Sequence, residues 1–206
     1  MSPALANESA MLNQHTASGI ARNAWHVTSL NSLASAVVLL SIFFAQPARG
    51  QGSTSREYQL KAAFLYNFTK FVDWPHQDFA DRNTPIVIGV FGYNPFGVTL
   101  QDSVRGRRVN SRPIVVKSIQ SVEAARSVQV LFVGAADDAR LPELEKACEG
   151  AGVLIVGEST NFTKHGGTIG FTIAGDNLHF EINLAAAEAA QLKISAQLLK
   201  LASNNR

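Results

Sequence analysis

One cysteine, Cys148, stands in 206 residues, so the chain contains no internal disulfide and is not a stapled mini-domain. It lies in LEKACEG, read as the end of a helix, where a thiol packs as a small apolar side chain; an intermolecular bridge or a redox role is the alternative. Charge is sparse too: Asp, Glu, Lys and Arg make up 17% of the chain, with a formal net charge of +2. A nucleic-acid footprint needs a concentrated positive face, and the one local cluster (Arg105, Arg107, Arg108, Arg112) reads as a solvated loop. Beyond residue 50 the histidines are His76, His165 and His179, and none falls in a metal-ligand spacing. The chain lacks a P-loop, a three-glycine dinucleotide fingerprint and a G-x-S-x-G elbow. The expectation is no catalytic residue, no metal and no cofactor.

Long apolar runs are also missing. Leu30–Ala45, LNSLASAVVLLSIFFA, is uncharged but diluted by Asn31, Ser32, Ser35 and Ser41, and falls short of the roughly 20 apolar residues of a membrane span. Arg22 precedes it, and the small, flexible QPARGQGSTS follows. That is the order of a secretory signal, with cleavage expected after Ala48-x-Gly50, between residues 50 and 51; an uncleaved anchor is the alternative. The expected organisation is a signal peptide over 1–50, a flexible lead-in over 51–57 and one domain over 58–206. Without Arg22, Arg49 and Glu8 the remaining 156 residues carry 16 basic and 15 acidic side chains, and they suffice for one core.

What is present is a succession of short elements. Arg56–Val72 has helical spacing, with Leu60, Phe64 and Phe68 in one stripe, Lys61 and Lys70 elsewhere, and Pro75 as terminator. PIVIGVFG reads as a buried strand, and RPIVVKSI, VQVLFVG and GVLIVGE as three further strands, separated by short helices near 96–104, after Ser121 and over Leu141–Cys148. TIGFTI and LHFEIN then alternate around a glycine turn as an antiparallel hairpin, and Leu184–Ala202 reads as one long helix. The fold class is therefore α/β: a three-layer sandwich with a largely parallel sheet, a C-terminal antiparallel hairpin and a long C-terminal helix.

The aromatic stretch KAAFLYNFTKFVDWP lacks the strongly basic polar face of a membrane-surface helix, so its main role is burial against the sheet, with Tyr66 and Trp74 left as candidate contacts. GYNPFG after the first strand is a tight βα turn; Tyr93 and Phe96 are weak candidates for a small-molecule site, because ligands of open α/β sheets bind beyond the strands' carboxyl ends. Glu181 in HFEIN reads as an outward-facing strand carboxylate; the alternative is a buried carboxylate paired with a basic group or capping the last helix beside Asn183.

Several stretches, in order, carry a resemblance: KAAFLYNFTKFVDWP, GVFGYNPFG, GRRVNSRPIVV, VQVLFVG, GVLIVGES and LHFEINLAAAEAAQLKISAQLLKLA. From Tyr58 to Ala202 the chain resembles the YfiR family of Gram-negative periplasmic proteins. The resemblance implies an α/β fold, homodimerisation and a non-catalytic role. Such proteins repress an inner-membrane diguanylate cyclase by binding its periplasmic domain, and an OmpA-like outer-membrane lipoprotein sequesters the repressor. Cyclic di-GMP then rises and biofilm formation is favoured. Characterised members use paired cysteines, so their redox control does not transfer to a chain with Cys148 alone. Partner contact is expected at Tyr66, Trp74, Phe171 and His179. A periplasmic small-molecule sensor is the competing reading.

Overall fold

Ile86–Phe91 is buried at all six positions, and that pattern sets the architecture. Alternate residues of a strand point to opposite faces, so a strand apolar throughout needs cover on both. In the computed structural model, which describes residues 51–203 apart from 76–78, 82 and 176, it has that cover. Ile86, Ile88 and Val90 enter one core cluster, and Val87 and Phe91 enter another. Val130 and Phe132 divide from Leu131 and Val133 in the same way, as Leu154 and Val156 do from Ile155. The signal peptide expected over 1–50, and His76, lie outside the described residues.

The chain is a mixed α/β structure with helices around a mostly parallel seven-stranded sheet. In chain order the elements are α1 (Gln51–Phe71), β1 (Val72–Asp73), β2 (Ile86–Phe91), α2 (Thr99–Val104), β3 (Arg108–Val109), β4 (Arg112–Ile119), β5 (Val130–Val133), α3 (Leu141–Cys148), β6 (Leu154–Gly157), β7 (Ile169–Ala174), β8 (Asn177–Ile182), α4 (Leu184–Ala189), β9 (Lys193–Ile194) and α5 (Ala196–Ser203), with 3-10 turns at Glu123–Ser127 and Ala135–Arg140. The sheet order is β3-β4-β2-β5-β6-β7-β8. Strands β4, β2, β5, β6 and β7 run parallel, and β3 and β8 are antiparallel to their neighbours. α1, α2, α4 and α5 contribute to the first core cluster, and α3 with Ala125 and Phe162 to the second. α5 packs against β8, where Phe180 is only 1% exposed.

α1 extends back over 51–55, and its buried face differs from the stripe read in the sequence. Ala62, Leu65, Phe68 and Val72 form the buried line, Leu60 is exposed, and Lys61, expected on the polar side, is buried. The face is rotated because Ala62 permits close approach to the sheet and because the sheet supplies a counter-charge for Lys61.

The single long C-terminal helix is not formed. It ends at Ala189: Gln191 adopts φ 58°, its N–H donates to the Glu188 carbonyl (2.9 Å), and Leu192 N–H reaches back to Ala187 O (2.9 Å). This is a Schellman stop built on a residue other than glycine, sealed by buried Leu192 against buried Ala187. Lys193 and Ile194 then pair with Asp73 and Val72 in a two-stranded ribbon. Ser195 N–H donates to Phe71 O, and Leu198 N–H bonds to Ser195 O and Oγ, which starts α5. Helix propensity loses here to a tertiary strand pair that ties the C-terminal segment to the end of α1. No helix of the described residues is long and apolar enough to cross a membrane.

Candidate functional site

Lys61 is 3% exposed. Glu57, one helical turn earlier, and Glu158, immediately after β6, both pair with its Nζ. Glu158 takes three donors: its Oε1 accepts from the Tyr58 hydroxyl (3.1 Å) and from Ala135 N–H (3.2 Å), while Oε2 takes Lys61. The Lys61 ammonium also lies 4.7 Å from the centre of the Tyr58 ring. Burial, and then the charge of Glu158, hold the Tyr58 phenol well above its ordinary pKa, so it stays a donor throughout the physiological range. Its ring meets Phe96 edge-on at 5.3 Å, and Phe96 meets Phe132 at 4.8 Å, which couples the polar cluster to the core.

The cluster forms one wall of a groove of about 600 Å³. Ala135 and Glu158 place the groove at the carboxyl ends of β5 and β6, the usual position for ligands of parallel sheets. β7 supplies Phe171, Thr172 and Ile173, and Asn161, Lys164 and Glu181 bring further polar groups. Donors and acceptors in the inner cluster satisfy one another, so it acts as a rigid clamp of α1 onto the sheet, and the outer residues are those free to meet another molecule. Ser159, beside Glu158, donates its hydroxyl to Asp138 Oδ1.

The crevice between β2 and β5 is filled differently. There the chain turns from one side of the sheet to the other, and Asp137 lies against Gly92, whose φ of +63° and missing side chain make room for it. Tyr93 N–H donates to Asp137 Oδ2 (3.3 Å). A carboxylate already occupies the place a phosphate would take. Tyr93 is 72% exposed, whereas Phe96 is 3% exposed and committed to the core.

The residues expected at a partner contact fall in two places. At the end of α1, Tyr66 is half-buried beneath the Arg107 guanidinium (4.5 Å to the ring), and Trp74 donates its indole N–H to Gln129 O (3.2 Å). Trp74 also lines a groove of about 790 Å³ with Phe79, Arg112 and Lys193. On the hairpin, Phe171 is buried with its ring stacked on Phe68 (5.9 Å), and His179 is opposite Thr172 with its Nδ1 buried and unpaired among the described residues. Glu181 is exposed and accepts from Thr163 Oγ1 (3.2 Å), while Asn183 caps α4 through Ala186 N–H (3.1 Å). The arginine cluster serves local structure: Arg112 stacks on Phe79 (3.9 Å), Arg108 donates to Ser111 O (2.8 Å) and Arg105 pairs with Asp102. Sequence reasoning missed Lys61 and Glu158. The i,i+4 spacing of Glu57 and Lys61 was the available signal.

A family model described as YfiR/HmsC-like matches residues 58–203. No curated protein matches the chain.

Proposed function

Because the chain belongs to the YfiR/HmsC-like family, we propose that it is a periplasmic, protein-binding regulator of cyclic di-GMP signalling that binds the periplasmic domain of an inner-membrane diguanylate cyclase and lowers cyclic di-GMP. The family match over 58–203 is the observation that carries this reading, since it takes in every strand of the sheet and, apart from Glu57, the residues of both grooves described above. The protein acts after export from a Gram-negative cytoplasm and removal of residues 1–50, as a homodimer and without a catalytic step. An OmpA-like outer-membrane lipoprotein that sequesters it would release the cyclase and favour biofilm formation.

Partner contact is assigned to Tyr66 and Trp74 at the end of α1, and to the β7–β8 hairpin with Phe171 and His179. Half-buried aromatic rings suit this role: Trp74 has its indole N–H already satisfied by Gln129 O, and the Tyr66 ring is held beneath the Arg107 guanidinium. Phe171 and His179 contribute through the shape of the hairpin, since the ring of one and Nδ1 of the other are buried.

Capture of the tagged protein from detergent-solubilised host membranes tests the reading. Recovery of a membrane diguanylate cyclase, reduced by Tyr66→Ala and Trp74→Ala variants of unchanged thermal stability, is the expected result. Absence of any cyclase from the captured material overturns it. A second reading, a small-molecule sensor, draws on the 600 Å³ groove beside Lys61 rather than on Tyr93 and Phe96. A melting shift with a metabolite, abolished by occluding that groove with Thr172→Trp, supports it, because a ligand that binds only the folded state stabilises it.

A further inference from the structure

On one side the seven-stranded sheet ends in two strands of unequal length. β4 runs over eight residues, and β3 pairs with only two of them, Arg112 and Pro113. A bond from Ile114 N–H to Arg107 O (3.3 Å) closes that short ladder. From Val115 to Ile119 the outer edge of β4 has no strand beside it among the described residues. The direction of its backbone groups is fixed at both ends. Ile114 N–H points outward to Arg107, and Ile119 O points inward to Gly92 N–H (3.0 Å). Backbone groups of successive strand residues alternate between the two edges. Val116 and Ser118 therefore present N–H and C=O outward, whereas those of Val115 and Lys117 face β2.

Native sheets blunt such an edge with proline, a bulge or charge. The only proline of β4, Pro113, stands outside the open stretch, and the register with β2 runs unbroken from Ile114 to Ile119. What remains is charge, and it has one sign. Residues 103–122 include Arg105, Arg107, Arg108, Arg112 and Lys117 and no Asp or Glu. All of these but Arg112 are exposed. Among the described residues Arg105 alone of the five forms an ion pair, with Asp102. Arg107 lies over the Tyr66 ring, Arg108 donates to Ser111 O, and Arg112 donates to the carbonyls of Asp81 and Thr84. Two such edges brought together would set cation against cation, which disfavours pairing β4 with β4 of a second copy. An acidic strand matches the edge in both hydrogen bonding and charge.

We infer that the open edge of β4 takes an extended, acidic segment of a partner protein as an added strand. Laid antiparallel, the segment bonds to the N–H and C=O of Val116 and Ser118. A carboxylate stands beside Lys117, and more acidic residues follow at the end that meets Arg107. β-Branched residues of the segment complete the cover of Val115 and Val116, which are half-buried on opposite faces of the sheet. The inference does not rest on the cyclase reading, since it concerns the chemistry of the segment and not the identity of the protein that carries it.

The test is a titration of the purified, isotopically labelled protein with the peptide acetyl-Thr-Thr-Glu-Val-Val-Glu-Glu-amide, followed by amide chemical shifts. Shifts are expected at Val116, Ser118 and Arg107, with a dissociation constant on the order of 1 mM for so short a peptide. The same peptide with lysine for glutamate should bind at least about tenfold more weakly, and N-methylation of both valines, which blocks either edge of the peptide, should abolish binding. Lys117→Glu should weaken the acidic peptide by about tenfold. Ser118→Pro removes an outward N–H and no bond to β2, so the sheet is kept and binding is lost. Lys117 is exposed, so a folding defect in the proline variant leaves the charge variant to decide. Equal binding of the lysine peptide, tolerance of N-methylation, unchanged affinity in either folded variant, or shifts that map elsewhere would each overturn the assignment. So would self-association that broadens the same amides without peptide, which gives the edge to a second copy, or tighter binding there of a thymidine dodecanucleotide.

Discussion

Replacing Lys61 by methionine tests whether the buried ion cluster holds α1 to the sheet. Methionine keeps the volume and helix propensity of the stem and removes the charge. Glu158 is then left with a side chain 9% exposed and with two donors, the Tyr58 hydroxyl and Ala135 N–H. Breaking a buried pair by removing one partner costs about 3–5 kcal/mol, and the two surviving donors place this case near about 3 kcal/mol. The Glu57–Lys61 pair adds little, because Glu57 is 28% exposed and such i,i+4 pairs are worth about 0.3–0.5 kcal/mol. With a urea slope of about 2 kcal/mol/M the unfolding midpoint should fall by about 1.5 M, followed by tryptophan fluorescence and circular dichroism. Lys61→Met combined with Glu158→Gln should recover more than about half of the loss, since the amide keeps an acceptor for Tyr58 and Ala135 and no longer buries a charge. A loss below about 1 kcal/mol at unchanged slope would refute the reasoning, because that is the value of a solvated surface pair.

Three further outcomes follow from other parts of the molecule. Gly157→Ala should destabilise by about 1–3 kcal/mol or more, because a new Cβ meets the Phe162 ring, and combining it with Phe162→Leu should be less than additive in urea unfolding. Gln191→Gly should stabilise by about 0.5–1 kcal/mol, since φ 58° strains glutamine and suits glycine; an unchanged or lower melting temperature would remove strain as the explanation. Burial pushes the Cys148 thiol up to about 11 from an ordinary 9.0, so at pH 8 its alkylation in the folded protein should be about 100-fold slower than in urea. The same shift means that the neutral thiol favours the folded state below pH 9.0, and that this contribution is lost as pH rises from 9.0 towards about 11. A urea midpoint that falls across that window in the wild type and less in Cys148→Ala is the check.

The strand runs Ile86–Phe91, Val130–Val133 and Leu154–Gly157 were legible because a strand buried on both faces must be apolar at nearly every position, whatever its neighbours are, and Arg112–Ile119, buried only at Ile114 and Ile119, was legible from its β-branched run Ile114–Val116. The α/β class follows from the alternation of such runs with helices. Two features of the fold were not legible. The two-residue strands β1, β3 and β9 are too short to show any periodicity, and they exist only because a partner strand lies beside them. The break at Gln191 carries no glycine or proline, so local propensity favours continuing the helix, and the pairing of Lys193 with Asp73 is what rewards the turn.

The candidate site belongs to the same class. A lysine beside a helical stripe reads as solvent-facing, because burying an ammonium alone is prohibitive. Its counter-charges lie at Glu57 and, 97 residues along the chain, at Glu158. The sequence by itself determined the apolar strands, the aromatic helix that covers them and the resemblance that leads to a regulator of signalling. Only the tertiary structure decided which face of that helix is buried, where the C-terminal helix stops and which charges are removed from water, since each depends on groups that the chain brings together from far apart.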